Sequence, residues 1–135
     1  MTNLNFEGEY HPWVAYAQSK TVNPYTANKL ERRYSNQGLH AWSVQPGLIQ
    51  TGLMQFLGEE TLQGWAKDPN VANATKNPEQ GADTSVWAVT SKALEGQGGK
   101  YLEDCQIAKA AKPCPKEYEP GYAPHAYDKE KEGLL

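Results

Sequence analysis

The chain has 135 residues, of which 39% are hydrophobic and 21% charged, and its formal net charge at pH 7 is −3. This length is enough for one domain with a real core, although a mean hydropathy of −0.76 is low for a buried sheet. Because the two signs of charge are mixed and no apolar run approaches the ~20 residues that span a bilayer, we expect neither a nucleic-acid partner nor a membrane span.

A long helix is predicted near the start of the chain, after a polar loop over residues 1–11. Pro12 is suited to the first turn of this helix and Gly38 to the stop after Gln37. Pro24 lies inside the predicted helix and removes one backbone hydrogen bond, so we expect a kink or a local break there.

Tyr16 and Lys20 are four residues apart on this helix and therefore share one of its faces. A free phenol is almost fully protonated at neutral pH because its pKa is near ~10. A neighbouring ammonium favours the ionised form, so such a tyrosine can exchange a proton with an alcohol or a carbonyl oxygen. The same spacing also arises by chance in a chain with eight tyrosines, and alone it is weak evidence.

A strand is predicted from Leu39 to Gln45, ended by Pro46 and Gly47. One or two short helices should follow between Thr51 and Trp65, and their apolar residues supply a surface that can cover the core. The polar stretch 68–76 is predicted to be a loop.

A second clear helix start is Asn77 as N-cap, with Pro78 in the first turn and Gln80 three residues after the cap. This helix should run to about Leu94, and a short strand should follow over residues 100–102. Ala82, Val86, Val89 and Ala93 then lie on one side of the helix. Four later prolines predict an irregular tail over 113–135, in which tyrosines 118, 122 and 127 either line a pocket or pin the tail to the surface.

Several segments, in order along the chain, resemble the short-chain dehydrogenase/reductase family, and in particular its retinol-dehydrogenase-like branch. They are Tyr16-Ala17-Gln18-Ser19-Lys20, Pro46-Gly47-Leu48-Ile49-Gln50-Thr51, Gln80-Gly81-Ala82, Gly96 to Leu102 and Tyr122-Ala123-Pro124. The resemblance implies that Tyr16 is the catalytic acid/base and that Lys20 supports it and binds the nicotinamide ribose. It also implies that Pro46, Gly47, Ile49 and Thr51 hold the nicotinamide carboxamide of NADP or NAD and approach its pyrophosphate.

The fold class implied by the resemblance is α/β, the C-terminal part of a doubly wound, Rossmann-like parallel sheet with a long Tyr/Lys helix and two short parallel strands. The family's glycine-rich cofactor turn and its catalytic serine have no counterpart in this sequence. We therefore expect a single truncated domain over 1–135, with helices and strands over 12–112. The uncovered edge of its first strand predicts a homo-oligomer, a partner that covers this edge, or a rearranged small fold.

Three functional hypotheses follow. The first is an oxidoreductase that moves hydride between NAD(P)(H) and a small alcohol or carbonyl compound. The second is a cofactor-independent acid/base enzyme, such as an isomerase, dehydratase or cyclase. The third is a non-catalytic remnant or interaction protein.

The cysteines and histidines give no further chemistry. No secretory signal is visible at the N-terminus, so we expect a cytoplasmic protein in which Cys105 and Cys114 are free thiols. His11, His40 and His125 share no short ligand spacing, and no metal is predicted.

Overall fold

The computed structural model of the protein describes residues 6–113, 115 and 118–133. Its elements follow in chain order as α1 (Pro12–Tyr34), β1 (Ser43–Gln45), β2 (Leu48–Ile49), α2 (Glu59–Lys67), α3 (Pro69–Ala74), β3 (Thr75–Lys76), α4 (Pro78–Thr90), β4 (Tyr101–Glu103), β5 (Gln106–Ile107) and α5 (Lys129–Glu132). Short 3₁₀ turns cover Ser35–Gln37, Gly52–Phe56, Lys92–Leu94 and Pro124–Tyr127. None of the described helices is both long and apolar enough to cross a membrane.

The main sheet confirms the predicted α/β class with parallel pairing. Strands β1 and β4 run parallel, so that Val44 lies opposite Leu102, and β5 turns back antiparallel to β4. Leu102 and Leu94 are almost completely buried and form the core with Ala88 of α4. The two predicted strands are therefore correct in position, although β1 begins at Ser43 rather than Leu39.

The long helix is present, and the expected local break at Pro24 is wrong. Helix α1 is continuous through Pro24, and Gly38 ends the following 3₁₀ turn in the left-handed region with φ 80°. Pro24, Tyr25, Ala27 and Asn28 are buried. Tertiary contacts on this face hold the helical backbone although the proline has no N–H to donate.

The polar loop predicted over 68–76 is also wrong. Asp68 caps helix α3 by accepting a hydrogen bond from the Asn70 N–H at 2.8 Å. Strand β3 then pairs in parallel with β2, with Leu48 opposite Thr75. Two-residue strands contain too little alternation to be recognised in a sequence.

Helix α4 begins with the predicted capping box, in which the side chains of Asn77 and Gln80 each accept from the other's backbone N–H. It ends at Thr90, and the 3₁₀ turn over residues 92–94 completes the predicted length. The buried face of the helix carries small and polar residues, namely Gly81, Thr84 and Ala88. The apolar side noted in the sequence faces outward, since Val86 and Val89 are 56% and 80% exposed.

Within the predicted tail, the described residues include the 3₁₀ turn Pro124–Tyr127 and helix α5. The buried carboxylate of Glu132, only 1% exposed, forms an ion pair with Arg32 and accepts a hydrogen bond from Asn28 Nδ2 at 2.7 Å. The same amide nitrogen donates to the Ala126 carbonyl at 3.0 Å. These contacts fasten α5 to α1.

Two of the three tyrosines in this region, Tyr122 and Tyr127, pack together, and Tyr127 pins the chain to the sheet. The Tyr127 hydroxyl accepts a hydrogen bond from the Tyr101 N–H at 3.0 Å, and the Tyr122 ring packs against the Tyr127 ring with 4.8 Å between centroids. Cys105 is a free, exposed thiol as expected, whereas Cys114 lies outside the described residues.

We predict that Asn28→Ala destabilises the protein by about 1–3 kcal/mol, because it leaves a buried carboxylate and a carbonyl without their amide donor. Urea unfolding followed by circular dichroism measures this loss. Asn36→Ala, at an exposed position of the 3₁₀ turn that follows α1, is the matched control. Equal unfolding midpoints for the two variants would show that Glu132 does not depend on Asn28.

A second prediction concerns alkaline pH. Burial raises the pKa of Tyr127 and of Tyr101 above their usual value. The two phenols therefore stay protonated in the folded state at pH values where they ionise in the unfolded state. Their contribution to the free energy of unfolding is complete below about pH 10 and is lost as pH rises through the folded-state pKa values. Urea midpoints between pH 8 and pH 11 should fall less steeply for Tyr127→Phe than for Tyr10→Phe, whose ring is 65% exposed. Parallel slopes would contradict the assignment.

Candidate functional site

Tyr16 and Lys20 lie together on the first half of α1, as the sequence predicted from their spacing. The Lys20 ammonium stands over the Tyr16 ring, with Nζ 5.3 Å from the ring centroid. This is cation–π geometry, in which the charge meets the ring face rather than the hydroxyl oxygen. The Trp13 ring contacts the same tyrosine edge-on, at 6.3 Å between centroids.

The pair is open to solvent. None of residues 12–20, all of which the structure describes, is buried, and Tyr16 is 53% exposed. A pair of charges about 5 Å apart interacts by about 1 kcal/mol in bulk water and about four times as strongly at an effective dielectric of about 20. Lys20 can therefore act strongly on the phenol only when something excludes water from this face.

The second group of predicted residues forms one continuous segment at the carboxyl end of β1. Pro46 and Gly47 make the turn into β2, and Gly47 has φ 99°, a left-handed conformation that glycine adopts without strain. Ile49 packs against Gly81 of α4, where an added Cβ would stand 2.1 Å from the Ile49 Cδ1. The glycine of the Gln80-Gly81-Ala82 motif thus allows β2 and α4 to approach closely.

Thr51 ends this segment and caps the 3₁₀ turn that follows it. Its Oγ1 accepts a hydrogen bond from the Leu53 N–H at 3.3 Å. Because the oxygen is the acceptor in that bond, the hydroxyl proton is free to be donated elsewhere. Thr51 is exposed and can offer this proton to a ligand.

The four turn residues lie within one segment of six residues, 46–51, and are therefore close together through the chain itself. In the part of the chain described, no hydrogen bond or ion pair joins Tyr16 or Lys20 to residues 46–51. Two surface cavities, of about 310 and 380 Å³, lie elsewhere, one beside His40 and Val89 and the other beside Ile107 and Gly121. Neither is lined by a predicted site residue.

Two charged residues at the turn were missed by the sequence reasoning. Lys76 of β3 forms an ion pair with Asp104, and its side chain lies against Gly47. The sequence carries little signal for Lys76, because this residue lies in the stretch 68–76 that is predicted to be a loop and its contact with Gly47 depends on strand pairing. Searched over the described residues, no group of three potential metal ligands occurs.

Comparison with known proteins gives relatives along the full length of the chain, although no family model matches it. The chain is 42% identical over 137 residues to the short-chain dehydrogenase/reductase prx1 of Penicillium roqueforti, an alignment that covers 100% of this chain and 39% of that protein. It is 40% identical to the oxidoreductase calI of Penicillium decumbens, covering 95% of this chain and 38% of that protein. Human retinol dehydrogenase 11 is 31% identical over 78% of this chain and 32% of its own length. The chain therefore spans about two fifths of the length of the first two relatives.

Proposed function

From the homology of the whole chain to part of a short-chain dehydrogenase/reductase, we propose that it acts as an oxidoreductase. The proposed reaction moves a hydride between NADP(H) or NAD(H) and a small alcohol or carbonyl compound. The observation that carries the proposal is the contact between Lys20 and Tyr16 on one helix face. The contact places a proton-transfer group beside a cation in the part of the chain that is homologous to the family.

Tyr16 is the proposed acid/base. In the direction of reduction its hydroxyl gives a proton to the carbonyl oxygen of the substrate, and in the direction of oxidation the phenolate accepts the proton of the alcohol. In the proposed covered state, where water is excluded, the Lys20 ammonium over the ring would stabilise negative charge on the phenol oxygen. When it is bound, the nicotinamide supplies or accepts the hydride.

The turn at the end of β1 fits a dinucleotide in two respects. Gly47 adopts the left-handed turn, with φ 99°, that leads the backbone into the exposed segment ending at Thr51, and the Thr51 hydroxyl has a proton to donate. Pro46 and Ile49 fix the turn on either side of Gly47. We assign these four residues and Lys20 to cofactor binding, without a choice between NADP and NAD.

An enzyme of this kind must exclude water from Tyr16, and the described residues do not do so. Trp13 and Val14 are about half exposed on the same helix. Strand β1 pairs with β4, and among the described residues no strand pairs with its other edge. We propose that a second copy of the chain covers this helix and edge, since unpaired backbone groups and aromatic surface both favour association.

The test of the chemistry is a titration of NADPH and NADH into the full chain, followed by tryptophan fluorescence, to which Trp13 beside Tyr16 contributes. We expect saturable binding that weakens by about tenfold in Lys20→Met, roughly the effect of one charged contact. Tyr16→Phe should bind the cofactor but lose at least about 100-fold in the reduction of small aldehydes, the usual contribution of a general acid.

Lys29→Met and Tyr34→Phe are the matched controls, because both lie on α1 away from the pair. No binding up to millimolar cofactor in folded protein, or equal turnover by Tyr16→Phe and Tyr34→Phe, would refute the proposed function. Conversion of a substrate in cofactor-free protein would instead favour an acid/base isomerase, dehydratase or cyclase.

The proposed association is tested by sedimentation velocity of the wild-type chain and of Trp13→Ser. We expect a concentration-dependent dimer that dissociates in the variant, because the indole supplies a large apolar contact on the uncovered helix. Val89→Ser, at an exposed apolar position on α4, is the control. A wild-type monomer at all concentrations would contradict self-association and leave a different partner chain as the source of cover.

A further inference from the structure

One ion pair joins the two sheets of the protein at the carboxyl end of β1. Lys76 belongs to β3, which pairs with β2, and Asp104 follows β4 directly. Gln45 and Glu103 lie opposite each other at the ends of the two parallel strands. The Lys76–Asp104 pair therefore lies where the chain leaves β1 and enters the Pro46–Gly47 turn.

The side chain of Lys76 covers one face of that turn. A Cβ built on Gly47 would stand 2.9 Å from Cδ, 3.0 Å from Cε and 3.1 Å from Nζ of Lys76. The ammonium thus lies against a glycine in a left-handed conformation with φ 99°. An alanine at this position would meet both backbone strain and the lysine.

Asp104 holds the ammonium from the solvent side. It is half exposed, whereas Lys76 is 26% exposed in its side chain. Asp104 and Cys105 both have positive φ and make the two-residue turn into β5, and Cys105 N–H is anchored on Thr84 Oγ1 at 3.2 Å. The carboxylate is therefore presented by a fixed turn, while the flexible partner is the lysine.

We propose that Lys76 is a further ligand-binding residue of the Pro46–Gly47 turn, whose ammonium exchanges Asp104 for an anionic diphosphate placed against Gly47. The inference deepens the proposed dinucleotide site and rests on it for the identity of the ligand. A solvent-exposed ion pair exchanges partners at little cost, and a diphosphate carries more charge than one carboxylate. Asp104 is the counterion of Lys76 in this structure and would compete with the ligand for the ammonium.

Because Asp104 competes with the ligand for the ammonium, substitutions of Lys76 and of Asp104 should change the affinity for pyrophosphate in opposite directions. Lys76→Met should weaken binding of inorganic pyrophosphate by about threefold to tenfold, because the aliphatic stem stays but the charge is lost. Asp104→Asn should tighten binding by about threefold, since it frees the ammonium while asparagine keeps the left-handed turn. Lys76→Arg should retain most of the affinity.

Pyrophosphate is titrated into the full chain without divalent metal, and the shift of the Gly47 amide is followed by NMR. Lys92→Met is the matched control, because it removes the same charge at the far end of α4. If the ion pair had only a structural role, Lys76→Met and Asp104→Asn would both bind pyrophosphate more weakly, or both would bind it as the wild type does. Equal affinities for Lys76→Met and Lys92→Met, or weaker binding by Asp104→Asn, would overturn the proposal.

This experiment separates the inference from the proposed function. Pyrophosphate contains no nicotinamide, so the opposite effects at Lys76 and Asp104 do not depend on Tyr16 or on hydride transfer. The expected pyrophosphate pattern together with absent NADPH binding would support the anion site and refute the dehydrogenase chemistry. Saturable NADPH binding without the expected pyrophosphate pattern would exclude Lys76 from the ligand site and leave the proposed function in place.

Discussion

The buried carboxylate of Glu132 is the constraint on which the arrangement of the chain depends. An ionised group removed from water must be paired and hydrogen-bonded, and both requirements are met by residues of α1, namely Arg32 and Asn28. The C-terminal helix is therefore held under the second half of α1. Tyr127 then reaches the backbone of Tyr101, which fixes the same segment to β4 from the other side.

A second carboxylate, that of Glu31, links α1 to the start of β1. It accepts a hydrogen bond from the Ala41 N–H at 3.1 Å and lies 3.1 Å from Nδ1 of His40. A Cβ on Gly98 would stand 1.6 Å from its Oε2, so the glycine leaves room for the carboxylate. Gly98, within the family-like segment Gly96 to Leu102, thus serves packing.

The sequence predicted elements wherever the signal was local. The Asn77 capping box and the left-handed stop at Gly38 appear as expected, because each depends on a few neighbouring residues. The continuity of α1 through Pro24 could not be predicted, since it depends on contacts with residues about 100 positions later. The same limit applies to the site, where Tyr16 and Lys20 meet by helical spacing but Lys76 reaches Gly47 only through the pairing of β2 with β3.

The two halves of α1 therefore have different physical roles. The second half packs four buried residues, Pro24, Tyr25, Ala27 and Asn28, whereas residues 12–20 carry the Tyr16–Lys20 pair and have no buried member. A cation beside a phenol has little effect while water surrounds both, because the high dielectric weakens their interaction. The positions of Tyr16 and Lys20 are thus fixed by a rigid helix, while the strength of their interaction is set by whatever covers that helix. In the proposed assembly, covering this face would strengthen that interaction without any change in the backbone of the helix.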